Sequence, residues 1–405
     1  MKKRLVWVDQ LRSIAFLLVI MGHVAQPKEV QSLIYAFHMP LFFLISGLTI
    51  NREKLEQRDI REYISHQFKH LIVPYVWMDF LMFPLWYITF PVLHHRTDLS
   101  ILRTTVGIFY GNNLKIGTPS NALWFLLVLF LANIMYLFIV KIAKGKREVI
   151  LSLVLICGIL GYLDKGIDQI WHFNVAFTAV VFEFIGNEFM IWYKNGGEEW
   201  LNNAKRSLSL LVCLLFLGLI SHKLNGRVSV TANKFGKSLL LFYISAVTLS
   251  FVVIFVMTKI PRISLVEFVG KNTLLYVGIH IPILRLFEAL FPALLTNYLY
   301  SNLFGLCLYV GIIPICMLAN DLCPYVCGKA LTENTKLKRL VKVGLAFTAA
   351  AFPFGMIMKK IGIWSLGLPL NIVILLVLSI AFVYVTERWF PWVYLDESQK
   401  KKVGI

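Results

Sequence analysis

The chain has 405 residues, 58% of them apolar and only 15% charged, which points to a polytopic membrane protein rather than a soluble enzyme. Lysine and arginine outnumber the acids by 40 to 22, a formal charge of +18. No basic stripe interleaved with aromatics accompanies that charge, so nucleic-acid binding is not expected.

The chain opens with Met1-Lys2-Lys3-Arg4 before an apolar run. This resembles a secretory signal, but no small-residue cleavage site follows and polar residues of functional type lie inside the run, so it is read as a retained first span. Runs of roughly 17 to 25 apolar residues cross a bilayer as helices, and these are too long and too uniformly apolar for barrel strands. About twelve such spans are expected, at 5–25, 30–50, 71–93, 122–140, 149–163, 171–192, 208–222, 238–258, 270–291, 299–319, 342–358 and 366–386. The fifth and seventh are short, as tilted or re-entrant elements would be. The fold class is therefore an all-α helical bundle of about 10–12 transmembrane helices. With the N-terminus inside, the cytoplasmic connections hold Arg52, Lys54, Arg58 and Arg61, then Lys141, Lys144, Lys146 and Arg147, then Lys329, Lys336, Lys338, Arg339 and Lys342. That asymmetry places both termini in the cytoplasm and accounts for the positive charge. The longest polar loop lies near 94–121, and neither a tandem repeat nor a soluble domain is visible. The cysteines, Cys157, Cys213, Cys307, Cys316, Cys323 and Cys327, lack zinc-site spacing and partner histidines, so no metal is implied.

Ionisable residues inside membrane spans are costly and mark function. In the first span Arg12 and His23 are eleven residues apart, which is three turns plus roughly 20°, so they share one helix face with roughly 16 Å of rise between them. Asp9, one turn before Arg12, can pair with the guanidinium and orient it. In the second span His38 is followed by Pro40, whose missing N–H opens a polar gap beside the imidazole. The segment from Gly270 through Asn272 brings His280 to the same membrane layer from the other side. Histidine removes a hydroxyl proton near neutral pH and arginine grips phosphates bidentately, which together suit acyl transfer from a phosphorylated donor. Asp79 and Glu183 are further intramembrane acids that either orient a histidine, bind a sugar hydroxyl or pair with an arginine such as Arg285.

Arg12 with His23, Phe37-His38-Met39-Pro40-Leu41-Phe42-Phe43-Leu44-Ile45-Ser46-Gly47, Val73-Pro74-Tyr75, Ala122-Leu123-Trp124-Phe125-Leu126 and the stretch from Gly270 to His280 together resemble the membrane-bound acyltransferase 3 family. The resemblance spans roughly residues 5–330 and is strongest for the branch of fucose O-acetylase-like and polysaccharide O-acetyltransferases. It implies transfer of an acyl group, usually acetyl, from cytoplasmic acyl-CoA to a hydroxyl of a cell-surface glycan, in the cytoplasmic membrane of a bacterium. It also implies that His23 is the essential catalytic histidine, with Arg12 and Asp9 at the donor and His38 completing the centre. Trp124, Asp79, Glu183, Asn272 and His280 are then candidates for supporting or acceptor-binding roles, Trp124 being equally readable as an interfacial anchor. No permanently bound cofactor is expected; acetyl-CoA is a co-substrate and the partners are the glycan acceptor, the bilayer and polysaccharide-assembly proteins. Residues 1–330 would form the acyltransferase core and 331–405 an appended pair of spans with a short cytoplasmic tail. No Gly-x-Ser-x-Gly elbow is present, so the membrane core acts alone or with a separate partner. The competing reading is a transporter or flippase of a glycan or lipid precursor with proton-coupling histidines, and a further one is an inactive membrane scaffold.

Overall fold

The computed structural model describes residues 5–94, 100–112, 114, 116–164, 169–360 and 368–395. The basic start Met1–Arg4 and the expected tail beyond 395 lie outside the described residues. The chain is a succession of helices: α1 (Val6–His23), α2 (Lys28–Thr49), α3 (Arg52–Gln57), α4 (Ile60–Gln67), α5 (Val73–His94), α6 (Ile101–Tyr110), α7 (Trp124–Ile142), α8 (Arg147–Leu163), α9 (Phe173–Trp192) and α10 (Glu198–Asn202). They continue as α11 (Ala204–Asn225), α12 (Leu239–Lys259), α13 (Ser264–Lys271), α14 (Thr273–Leu290), α15 (Pro292–Thr296), α16 (Tyr298–Leu322), α17 (Lys336–Lys360) and α18 (Leu368–Trp389). No strand occurs among the described residues, only an isolated bridge between Ser229 and Lys234.

Among the described residues 10 helices are long and apolar enough to cross a membrane, at the lower edge of the range expected. The fifth expected span is α8, 17 residues long and headed by Arg147 and Glu148. The eleventh is α17, 25 residues long with Lys336, Lys338, Arg339 and Lys342 at its start. The seventh is longer than its apolar run suggested: α11 has 22 residues, because Asn203 caps its start by accepting from the Arg206 N–H and Gly226 ends it. The loop expected near 94–121 contains α6, capped by Ser100 and closed by the left-handed Gly111.

Two compact units divide the chain without following its order. The first comprises Met1–Ile64, Val128–Thr273 and Leu294–Tyr309; the second comprises Ser65–Leu127, Leu274–Ala293 and Val310–Ile405.

In the first unit α1 and α2 pack on each other, α13 lies along α1, and α9 lies along α2. Lipid supplies little hydrophobic drive between helices, so close backbone approach at small residues holds them. A methyl group on Gly47 would strike the Glu183 carbonyl, and one on Gly186 would strike the Leu44 carbonyl. Gly270 presses in the same way on the Asp9 carbonyl of α1. At the end of this packing Arg52 donates from Nε and Nη2 to Asn187 Oδ1 at 3.1 and 2.9 Å and pairs with Glu188, while the Asn187 amide donates to the Ile50 carbonyl at 2.8 Å. The turn after α2 is thereby fastened to α9.

The second unit is fastened by polar and aromatic contacts. Lys342 is fully buried, with its Nζ 2.8 Å from Glu387 Oε1 and 4.4 Å from the centre of the Tyr394 ring. Tyr394 stacks edge-on to Tyr325 at 5.2 Å, and the Trp77 indole N–H donates to the Val393 carbonyl at 3.1 Å. Pro282 lies inside α14, so the Gly278 carbonyl four residues earlier has no helical donor. Ser120 supplies one: its hydroxyl donates to Gly278 O at 2.6 Å, and its own N–H donates to Asp79 Oδ1 at 2.8 Å.

Candidate active site

Helix α1 carries the register read from the sequence. Arg12 Nη1 lies 3.1 Å from Asp9 Oδ1, with Asp9 only 1% exposed and Arg12 half-buried. Beside this pair is a cavity of about 310 Å³ lined by Asp9, Arg12, Leu48, Thr49, Met190 and Lys194, among others. Such a volume lies at the lower end of ligand pockets, roughly 300–1,000 Å³. Lys194 reaches the cavity from a wide turn, Tyr193–Gly197, that interrupts helical geometry at Asn195 and at Gly196, whose φ is 102°. Only glycine adopts that conformation without strain. The turn is steadied by Tyr193, whose ring meets Trp7 of α1 at 5.5 Å. Arginine, lysine and a threonine hydroxyl around one cavity can hold an anion, and the buried Asp9 fixes which way the guanidinium points.

His23 is the last residue of α1 and is partly exposed. His38 is 3% exposed and lies well inside α2, roughly 15 Å of helix rise from its first residue. Helix α2 starts within five residues of His23, and His38 comes several turns later. Tyr35 lies between them in the chain. Its hydroxyl donates to the Gly22 carbonyl, next to His23, at 3.2 Å, and its ring stands edge-on to His38 at 5.1 Å. Gln31 also donates to Gly22 O, at 3.2 Å. His38 Nδ1 lies 2.8 Å from the Ile34 carbonyl; a carbonyl only accepts, so Nδ1 carries the proton, and in the neutral ring Nε2 keeps its lone pair. The second unit repeats the device. His280 Nδ1 donates to the Tyr276 and Val277 carbonyls at 2.9 and 3.0 Å, and Pro282, like Pro40, follows two residues later.

The other candidates fall as follows. Glu183 is fully buried on α9 with Ser46 as polar neighbour, inside the first unit. Asn272 belongs there too, 3% exposed, and its amide caps α13 by donating to the Phe268 carbonyl at 2.7 Å. Asp79, Trp124 and His280 belong to the second unit. Trp124 is 7% exposed, so it packs within protein rather than anchoring in lipid. Arg285 pairs with Glu288 rather than with either buried acid. Sequence reasoning missed Lys194, Thr49 and the bridging role of Tyr35. The only sequence signal for Lys194 is the Asn195-Gly196-Gly197 breaker at the end of its span.

Residues 5–321 match the family model described as an acyltransferase domain, and the chain belongs to that family, acyltransferase 3. An acyltransferase activity in a multi-pass membrane protein follows. No curated protein and no solved structure matches the chain.

Proposed function

We propose that this protein moves an acyl group, most simply acetyl, from acyl-CoA to a hydroxyl of a cell-surface glycan, in the cytoplasmic membrane of a bacterium with both chain ends in the cytoplasm. The observation that carries the reading is the polar file of the first unit: a cationic cavity at Asp9, Arg12 and Lys194 at one end of α1, and at the other end His23, with Tyr35 bonded to the neighbouring Gly22 carbonyl and its ring against His38. Phosphates of the donor would sit at Arg12 and Lys194, and its thioester arm would cover the roughly 16 Å of rise to the histidines.

In the reaction the glycan oxygen attacks the thioester carbonyl carbon while His23 takes the hydroxyl proton. The carbon–sulfur bond breaks, and the proton passes from the imidazolium to the departing thiolate, leaving an ester and free CoA. His38, with Nδ1 pinned to Ile34 O, would present Nε2 to the same reaction, receiving or relaying the proton. Asp79, Trp124 and His280 are proposed to serve the acceptor side, while the capping bond of Asn272 and the helix packing of Glu183 favour positioning roles. Residues 1–330 are proposed to form the acyltransferase core, with 331–405 as an appended pair of spans and tail.

The deciding experiment is the acyl-ester content of surface glycans from cells carrying the intact chain, His23→Ala or no protein, at equal membrane levels. Ester restored by the intact chain and lost in His23→Ala supports acyl transfer and gives the product by mass. Equal ester from both chains removes His23 from the mechanism, and a chain that neither binds nor hydrolyses acetyl-CoA turns the assignment toward transport.

A further inference from the structure

A second cavity, of about 740 Å³, lies on the first unit along the same end of α9. Its long wall is apolar and aromatic, formed by Phe184, Phe189, Trp192 and Phe251. Its polar end holds Arg52 and Arg147, which share one acid: Arg147 Nε is 2.7 Å from Glu188 Oε2, and Arg52 pairs with Glu188 Oε1 while donating to Asn187. Two guanidiniums against one carboxylate leave one positive charge at the mouth. Arg52 is held in place, its side chain 12% exposed and its guanidinium 5.9 Å from the Phe184 ring.

We infer that this cavity binds an anionic phospholipid, its phosphate on the guanidiniums of Arg52 and Arg147 and one hydrocarbon chain along the Phe184–Phe251 wall. A small soluble anion would leave the aromatic wall unused, and a neutral hydrocarbon would leave the excess charge unanswered. An amphiphile satisfies both, and the bilayer beside this membrane-crossing helix supplies it. Planar guanidiniums suit phosphate geometry, basic pockets between membrane helices take anionic headgroups, and a basic side chain near an anionic membrane surface adds about fivefold to the attraction. The site is separate from the donor cavity, although one turn serves both: Lys194 points into the donor cavity and Asn195 into this one.

The test uses the full chain purified in detergent and titrated with phosphatidylglycerol or phosphatidylcholine, with bound lipid counted by native mass spectrometry. The intact chain is expected to prefer phosphatidylglycerol by about fivefold or more. Arg147→Gln, at a side chain 70% exposed and therefore safe for folding, is expected to lower that preference about fivefold, and Arg147→Lys to retain most of it. Ile191→Trp, which fills the apolar slot, is expected to weaken both lipids together. Equal binding of the two lipids by the intact chain overturns the inference, as does an unchanged preference in Arg147→Gln. Displacement of phosphatidylglycerol by inorganic phosphate at comparable concentration also overturns it, since the site would then be one for free anions. None of these readouts depends on acyl transfer.

Discussion

Tyr35 stands edge-on to His38, ring centroids 5.1 Å apart, with its hydroxyl tied to the Gly22 carbonyl at 3.2 Å. One side chain therefore contributes both to the approach of α1 to α2, beside Gln31, and to the setting of the buried imidazole, beside the Ile34 carbonyl. Tyr35→Phe keeps the ring and loses the tie. It is expected to lower stability by about 1 kcal/mol and turnover by roughly tenfold, less than the hundredfold that a misplacement of about 1 Å can cost. Melting temperature in detergent and ester formation by membranes measure the two effects; full activity with an unchanged melting point would show that the tie does not matter.

His38→Ala removes a ring whose Nδ1 is already committed to Ile34 O. If Nε2 handles the proton, acyl transfer falls by roughly 10²- to 10⁴-fold while acetyl-CoA binding persists. A loss of donor binding with normal turnover of whatever binds would instead make His38 part of the donor site.

The bond from Ser120 to Gly278 makes sense only because Pro282 cannot donate. Ser120→Ala is expected to cost about 1–3 kcal/mol, the penalty of an orphaned buried carbonyl. Pro282→Ala restores the helical donor, so the double variant should recover part of that loss. Thermal unfolding of the single and double variants decides it: simple additivity would mean that Ser120 is not compensating for the proline.

Glu267 lies outside the membrane-crossing helices, where Lys271 and then Arg262 hold its carboxyl below its ordinary value of 4.5. A depressed carboxyl binds fewer protons in the folded state, so its contribution is complete above the ordinary value and is lost as pH falls through the folded one. Glu267→Gln should therefore flatten the fall in melting temperature on acidification below 4.5 and leave the curve near neutrality parallel to that of the intact chain. Identical acid limbs would show that the pairs add nothing.

Gly270→Ala is expected to separate α13 from α1, because its new methyl would meet the Asp9 carbonyl. Overpacking of this kind costs about 1–3 kcal/mol, and here it would also disturb the Arg12 pair. Reduced thermal stability together with a raised KM for acetyl-CoA is the expected result; a raised KM at unchanged stability would locate the effect in Asp9 and Arg12 alone.

The features written in helical period were legible in the sequence. Arg12 and Asp9 meet as their spacing requires, and most of the spans stand where the apolar runs lie, because a bilayer leaves the backbone few alternatives. The capped ends were less legible. Asn203 and Gly226 extend α11 beyond its apolar run, and Ser100 with Gly111 builds α6 inside what reads as a loop. The partners of a turn were not legible at all. Lys194 reaches the Arg12 cavity from a broken turn at Asn195 and Gly196, and Tyr35 joins the Gly22 carbonyl to the His38 ring, relationships that exist only after α1, α2 and α9 are packed. The division into units was hidden for the same reason, since segments far apart in the chain fold together.

The paired contacts of Gly47 on Glu183 and Gly186 on Leu44 join α2 and α9 backbone to backbone, with no flexible side chain between them to absorb a shift. The two helices can only travel as one beam, one bearing His38 and the other leading into the turn that holds Lys194. The interval between the Arg12–Lys194 cavity and the buried imidazole is then a built-in length, and on the proposed reading a donor would be gauged by whether its reactive carbon falls at the right distance along it.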